Sequence, residues 1–136
     1  MIAPDGKTFC IAEHGNASQI KLADGGTRSD ASRADSTISW LDSESGRERR
    51  QIVVAESSVN ALAFSPDGQF LAASASFHWQ HGFIHIYRLR DKKEVQTIET
   101  PCRITPGLAF TPDGKRLAAG MSDTSILIWD LHFNLK

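Results

Sequence analysis

The sequence has no long hydrophobic run and almost no net charge. No window of its 136 residues approaches about 18 consecutive apolar residues, so we expect no membrane-spanning helix. The net charge is −1, so the chain lacks the positive surplus that is typical of nucleic-acid-binding domains. No basic stretch followed by an apolar core stands at the N-terminus, so we expect no signal peptide and favour a cytoplasmic location.

Cysteine is scarce, and the common catalytic motifs are absent. Cys10 and Cys102 lie far apart in sequence, and we expect two small buried or half-buried thiols rather than a disulfide or a reactive site. The sequence contains no glycine-rich phosphate loop, no nucleophile elbow and no paired acid–base arrangement. We therefore expect this chain to carry no catalytic residue, no cofactor and no metal.

Three histidines have a spacing that metal sites also use. These are His78, His81 and His85. His85 lies within a predicted strand, and no carboxylate or thiol stands near the three in sequence. We interpret them as surface histidines.

One short phrase occurs three times and organises the chain. Proline, aspartate and glycine recur in that order at 4–6, 66–68 and 112–114, each time before an alternating apolar run. Proline presets φ, aspartate caps the local backbone and glycine supplies a positive φ, so each copy predicts a tight turn between strands. The offsets are 62 residues (Pro4 to Pro66) and 46 residues (Pro66 to Pro112). A period in the forties built from short strands is typical of a β-propeller blade.

The alternation around these turns predicts short antiparallel strands. In chain order, strands are predicted at 7–14, 37–42, 49–54, 59–64, 70–76, 83–87, 94–98, 108–110, 116–120 and 125–130. We predict an all-β protein of ten strands in consecutive antiparallel blades, four-stranded where complete, of an incomplete β-propeller. One alternative stays open, because 18–24 also has the pattern of a strand; we prefer 37–42 as the strand after 7–14, since the next strand follows it at the normal distance.

The third unit resembles the signature of the WD-repeat family. Trp129-Asp130 closes its last predicted strand, and Asp123 stands in the turn before that strand. In the family a His, a Ser or Thr, an Asp and this Trp brace a blade by hydrogen bonds. The Gly-His pair expected before the first strand is absent, and Pro101-Cys102 stands in its place here. Only Asp123 and Trp129 match the bracing set.

The resemblance covers nearly the whole chain and implies three units. They comprise 1–55 without its first strand and with an insertion at 15–35, then 56–100, then 101–136 without its last strand. Propellers close into rings of about four to eight blades, so this set leaves uncovered sheet faces at both ends. We expect the remaining blades to come from a longer chain, of which this is the C-terminal part, or from self-association.

The end of the blade at which the longest connections emerge indicates where a partner would bind. In an antiparallel blade the connection after the second strand always emerges at the same end, and the two longest connections, 15–35 and 77–80, are both of this kind. Aromatic residues dominate binding hot spots, so we predict a partner-binding loop. Its residues are Phe77, His78, Trp79, Gln80 and His81. The alternative is that Trp79 folds back onto its own blade.

These expectations lead to two functional hypotheses. The first is a non-catalytic protein-interaction scaffold built on WD-type blades, with a protein or peptide partner and with neither nucleic acid nor membrane as ligand. The second is a regulatory or substrate-docking module of a larger enzyme whose catalytic domain lies outside this chain.

Overall fold

The described part of the chain is built from β-strands. The computed structural model describes residues 3–14, 18–21, 27–30, 36–54, 58–77, 81–102 and 104–132. Its strands are β1 (Thr8–His14), β2 (Ser18–Lys21), β3 (Thr27–Asp30), β4 (Ser36–Asp42), β5 (Glu48–Val54), β6 (Ser58–Phe64), β7 (Phe70–Phe77), β8 (His81–Arg88), β9 (Lys93–Thr100), β10 (Ile104–Phe110), β11 (Arg116–Met121) and β12 (Ile126–Asp130). The described residues include no helix, and thus none that could cross a bilayer. The fold is all-β, as predicted.

Ten strands form three sheets that follow one another along the chain. The first sheet has the order β1-β4-β5, the second β6-β7-β8-β9 and the third β10-β11-β12, and every pairing is antiparallel. The remaining two strands, β2 and β3, pair with each other in a separate small sheet. The prediction of ten strands was therefore two short. The sequence of β3, Thr-Arg-Ser-Asp, has no apolar residue and so gives no alternation to recognise.

The neighbour of β1 in the first sheet is β4. Seven residue pairs join the two strands, from Thr8 opposite Asp42 to His14 opposite Ser36. The alternative segment contains β2, which pairs with β3 instead. A long strand with the buried side chains of Ile38 and Trp40 gains more from packing beside β1 than a four-residue polar strand would.

The three Pro-Asp-Gly phrases form the same turn. Gly6, Gly68 and Gly114 have φ values of 67°, 72° and 70°. In each turn the glycine N–H donates to the carbonyl oxygen three residues earlier. The aspartate carboxylate accepts from the backbone N–H two residues further on, at 2.8 to 3.0 Å. The turn predicted from the sequence is confirmed in all three copies.

Two apolar clusters hold the three sheets together, one between each pair of neighbours. The buried residues between the first and second sheets are Cys10, Ile38, Trp40, Val54, Val59, Leu71, Ala73, Ala75 and Tyr87. Those between the second and third sheets are Phe70, Ala72, Ile84, Ile86, Ile98, Leu117, Ala119, Met121 and Leu131. Successive residues of β7 alternate between the clusters, because neighbouring side chains of a strand point to opposite faces. The second sheet is thus covered on both faces.

Contacts between sheets show that their corresponding ends lie side by side. The Val59 N–H donates to Ser36 Oγ at 3.1 Å, which joins one end of the first sheet to the same end of the second. At the opposite end, a Cβ placed on Gly114 would lie 3.8 Å from Cδ of Pro66. We call the end that carries the Pro-Asp-Gly turns the turn face. The end that carries the β1–β4, β7–β8 and β11–β12 connections is the loop face.

Gly68→Val and Gly114→Val should each lower the free energy of unfolding by about 1–3 kcal/mol, because a β-branched residue is strained at positive φ. Urea unfolding measures the effect. Gly107→Val is a matched control, since Gly107 has no positive φ and its nearest neighbour to an added Cβ is 3.9 Å away. Unchanged urea midpoints for both turn variants would contradict the turn assignment.

The two cysteines are not joined in a disulfide, and Cys10 is buried and Cys102 half-buried, as the sequence predicted. Burial raises the pKa of the Cys10 thiol to about 12. Because the thiolate is the reactive form, Cys10 should stay unalkylated by iodoacetamide at pH 8 in the folded protein and react fully in urea. Peptide mass spectrometry of both samples gives the readout. Equal labelling of Cys10 with and without urea would show that it is not buried.

Candidate partner-binding surface

The β7–β8 hairpin extends further on the loop face than the β11–β12 hairpin does. In the third sheet the last strand pair is Gly120 opposite Ile126. The Pro-Asp-Gly turns of the second and third sheets are 46 residues apart, so the equivalent of Gly120 in the second sheet is Ser74, which stands opposite Ile84. Pairing there continues through three more pairs to Phe77 opposite His81. In the third sheet the Met121 N–H still donates to the Ser125 carbonyl oxygen, so that hairpin also continues by one pair. The two further pairs of β7–β8, at about 3.3 Å per residue, carry its pairing about 7 Å beyond that of its neighbour.

The predicted partner-binding loop lies at the tip of this hairpin. Phe77 and His81 form the terminal strand pair, and the His81 side chain is exposed. His78, Trp79 and Gln80 lie outside the described residues. The connection is therefore three residues long, shorter than the four expected, because strand pairing continues to Phe77. A three-residue hairpin loop is common, so projection rather than loop length distinguishes this tip.

The insertion of the first sheet begins and ends at the same face. It runs from the end of β1 at His14 to the start of β4 at Ser36, and it includes the β2–β3 hairpin. Residues 15–17, 22–26 and 31–35 lie outside the described part of the chain. Because Ser36 accepts a hydrogen bond from Val59 of β6, this insertion ends beside the second sheet.

His85 belongs to the interior of the second sheet rather than to the surface. Its side chain is half-buried, and its ring stacks on Phe83 and Tyr87 with centroid distances of 6.3 Å on each side. Its Nδ1 lies 3.4 Å from Glu94 Oε1. The interpretation of His85 as a surface histidine was wrong, since its register opposite Ala73 turns it toward the first sheet. Among the described residues, no three His, Cys, Asp or Glu side chains are grouped as metal ligands would be.

Asp123 caps the turn between β11 and β12. Its Oδ1 accepts hydrogen bonds from the Ser125 hydroxyl at 2.5 Å and from the Ser125 N–H at 2.9 Å. The Ser125 hydroxyl contributes most to lowering the pKa of Asp123, and the Cys102 side chain makes the smallest lowering contribution. Cys102 stands at the position where the resemblance places the histidine of the family. The sequence alone identified this position only as a departure from the Gly-His pair of the family.

Trp129 and Asp130 lie at the other end of β12, near the turn face. Trp129 is half-buried, packs against the cluster between the second and third sheets, and stands opposite Leu117. Asp130 is exposed and accepts a hydrogen bond from Arg116 Nε at 2.8 Å. An exposed pair of this kind contributes little to stability. The signature residues therefore serve the blade itself.

A cleft of about 520 Å³ opens on the turn face between the first and second sheets. Lys92 Nζ lies 4.6 Å from the centre of the Trp40 ring in this cleft, a cation–π geometry, with φ of 57° at Lys92. In the same turn Arg88 pairs with Asp91 and lowers the pKa of that carboxyl to about 2. Sequence reasoning missed this cleft, because it forms only when two distant turns meet. Since the lysine of the chain itself covers the aromatic ring, the loop face is the better candidate surface.

The chain belongs to the WD-repeat family. The profile of the WD domain, G-beta repeat family matches residues 48–87 and 93–130, together more than half of the chain. Each match runs from the last strand of one sheet to the third strand of the next. The β-propeller resemblance predicted from the turns and from Trp129-Asp130 is confirmed.

Two curated relatives are named as subunits of a larger complex. The chain is 33% identical over 99 residues to the target of rapamycin complex subunit wat1 of Schizosaccharomyces pombe, a match that covers 71% of this chain and 30% of the relative. It is 30% identical over 99 residues to the target of rapamycin complex subunit LST8-1 of Arabidopsis thaliana, covering 71% and 31%. The chain thus spans about a third of the length of these relatives.

Two solved propellers share the fold. One is the β-propeller domain of Myceliophteria thermophila Cps50 (Swd1), with a TM-score of 0.61 and 16% identity, covering 92% of this chain and 40% of that one. The other is the Dos1 propeller, with a TM-score of 0.60 and 13% identity, covering 88% and 31%. At such identities the likeness shows the propeller fold alone.

The relative contributions of Ser125 and Cys102 to the lowered pKa of Asp123 can be tested. Removing a donor to a carboxylate raises its pKa, so Ser125→Ala should raise the pKa of Asp123 more than Cys102→Ala does. Because these interactions hold the pKa of Asp123 below its ordinary value of about 3.8, their contribution to stability is present above about pH 3.8 and is lost as the pH falls through the lowered pKa. Carboxyl NMR titration of both variants, with Asp113 as the reference carboxylate, measures the shifts. Equal or absent shifts would contradict the assignment.

Proposed function

We propose that the chain is a non-catalytic protein-interaction platform whose binding surface is the loop face, with Trp79 as its anchor. The extension of the β7–β8 pairing about 7 Å beyond that of the β11–β12 hairpin is the observation that supports this most strongly. A projecting hairpin next to a long insertion offers a partner contact area, and aromatic residues such as tryptophan dominate binding hot spots.

The packing of apolar side chains between the sheets supports the same proposal. Apolar residues of the second sheet are committed to packing on both faces, so recognition depends on groups at the strand ends. Propellers, like other rigid scaffolds, place binding residues on such connections.

Three of the described carboxylates cap turns of the backbone. Asp5, Asp113 and Asp123 each accept hydrogen bonds within their own turns, and these bonds lower the pKa of each carboxyl. A general base or acid works best with a pKa near the working pH, and these turn caps are shifted away from it. This supports a role in binding over a role in catalysis.

The curated relatives agree with a protein or peptide as the partner. Two of them are named as subunits of target of rapamycin complexes, and a complex subunit acts through contacts with other proteins. We carry over from them the class of partner alone, because this chain spans about a third of their length.

Trp79→Ala should weaken binding of the partner by about 30-fold or more, which corresponds to the 2 kcal/mol of an interface hot spot. The partner is first identified by affinity purification with the wild-type chain, and calorimetry with the purified partner then compares variants. Arg90→Ala is the matched control, because Arg90 lies in the turn between β8 and β9 on the opposite face.

The unfolding midpoint distinguishes this anchor from a core residue. We expect Trp79→Ala to leave the thermal midpoint nearly unchanged. A loss of stability above about 2 kcal/mol would place Trp79 in the core of its own blade. Unchanged affinity in a fully folded variant would equally overturn its role as anchor.

A further inference from the structure

The first and second sheets stand apart on the turn face, whereas the second and third sheets touch there. A Cβ placed on Gly114 would lie 3.8 Å from Cδ of Pro66, so the turns of the second and third sheets are in contact. The same Cβ on Gly68 would meet no heavy atom of the described residues within 4 Å. The space between the first two turns is the cleft of about 520 Å³.

The walls of this cleft combine aromatic rings with carboxylates. Trp40 and Phe64 supply the rings, and the exposed residues Asp5 and Asp67 supply the carboxylates. Both hydrogen bonds that hold Asp67 in its turn cap go to Oδ1, which leaves Oδ2 for a ligand. Aromatic faces and carboxylates both attract cations, so the cleft is suited to a positively charged group.

The side chain of Lys92 already places a cation in the cleft, at a cost in backbone conformation. Its Nζ lies 4.6 Å from the centre of the Trp40 ring. The Lys92 N–H donates to the carbonyl oxygen four residues earlier at 2.8 Å, and the Gly46 N–H makes the same bond in the β4–β5 turn. Gly46 has φ of 65° and Lys92 has φ of 57°, a region that favours glycine. A strained lysine thus stands where the equivalent turn has glycine, and strain of this kind is typical of functional positions.

We propose that this cleft binds the guanidinium group of an arginine side chain from a partner peptide, which takes the place of the Lys92 ammonium on Trp40. A guanidinium is planar and more weakly hydrated than an ammonium, so it stacks on an aromatic ring and pairs with a carboxylate at lower cost. The exchange conserves charge, because one cation enters as another moves into solvent. Among the described lining residues, Asp5 and Asp67 are then the only charged ones.

This inference is independent of the partner that binds the loop face, because the cleft opens at the opposite end of the molecule. It is also independent of what precedes the first Pro-Asp-Gly turn. A strand ahead of that turn would run beside β1 toward the loop face, as β6 runs beside β7, and so would lead away from the cleft.

NMR titration with the peptide acetyl-Gly-Arg-Gly-amide, followed at the indole N–H of Trp40, tests the proposal. Lys92→Gly introduces the residue of the β4–β5 turn and uncovers the ring. We expect this variant to bind the peptide about 5-fold more tightly than the wild-type chain, which is the change that about 1 kcal/mol of cation–π contact gives. Lys93→Ala is the matched control, because it removes a charge from the same turn but no lining residue, and it should leave the affinity unchanged.

The carboxylates are tested in the Lys92→Gly background. Asp5→Asn/Asp67→Asn removes two charges and keeps an acceptor oxygen for each turn cap, so we expect about 5-fold weaker binding from the loss of two exposed ion pairs. Asp113→Asn is the matched control, since Asp113 caps the equivalent turn of the third sheet and does not line the cleft. It should bind as its parent does.

The chemistry of the ligand is tested with two further peptides. Citrulline in place of arginine keeps the shape and removes the charge, so we expect no binding. Lysine in place of arginine should bind more weakly than arginine. Citrulline or lysine binding as tightly as arginine would overturn the choice of a guanidinium.

Other results would overturn the site itself. Lys92→Gly that binds no more tightly than the wild-type chain would show that the lysine does not compete for the cleft. Equal losses in the Asp5→Asn/Asp67→Asn and Asp113→Asn variants would place the peptide elsewhere, as would an unmoved Trp40 signal. Far-ultraviolet dichroism verifies folding, and Lys92→Asn replaces Lys92→Gly if the latter is unfolded, because asparagine tolerates positive φ and is shorter than lysine.

Discussion

The packing of sheet against sheet is the interaction on which the rest of this structure depends. The strands of the second sheet carry apolar side chains on both faces, and consecutive residues such as Leu71 and Ala72 belong to different clusters. A slip of one residue in β7 would exchange these faces and bring each set of side chains against the wrong neighbour. The three Pro-Asp-Gly turns prevent this slip, because each fixes where its strands begin.

This packing also determines which surfaces remain for recognition. Sheets that stand side by side bring corresponding connections together, as the bond from Val59 to Ser36 shows for the first and second sheets. The short turns collect on one end, where their carboxylates close the backbone. The loop face collects the connections that vary in length and content, and a propeller adapts to a new partner by changing these without altering its core.

Much of the fold was predictable from sequence because its signals are local. Alternation located ten strands to within four residues at each end, and the positive φ of Gly68 follows directly from the Pro-Asp-Gly phrase. What was missed depends on contacts. The polar strand β3 has no pattern of its own, and the extension of β7 to Phe77 depends on its partner strand.

The candidate site was less predictable than the fold for the same reason. The Cys102 side chain, which stands 21 positions before Asp123 (102 to 123), contributes to the lowered pKa of that carboxyl, and composition gives no sign of this effect. Likewise, the cation–π contact of Lys92 with Trp40 exists only because two sheets meet. Spacing could identify which loops share a face, but side-chain partners required the structure.

The position of the second sheet between two neighbours gives the molecule an uneven resistance to opening. An amide proton of β7 or β8 exchanges with solvent only when contacts on both sides of its sheet are lost, whereas the first and third sheets are each held within the chain from one side. In such a linear array, fraying proceeds inward from the two outer sheets. The segment that keeps its structure longest is therefore the middle of the sequence, which is also the segment that presents the projecting hairpin.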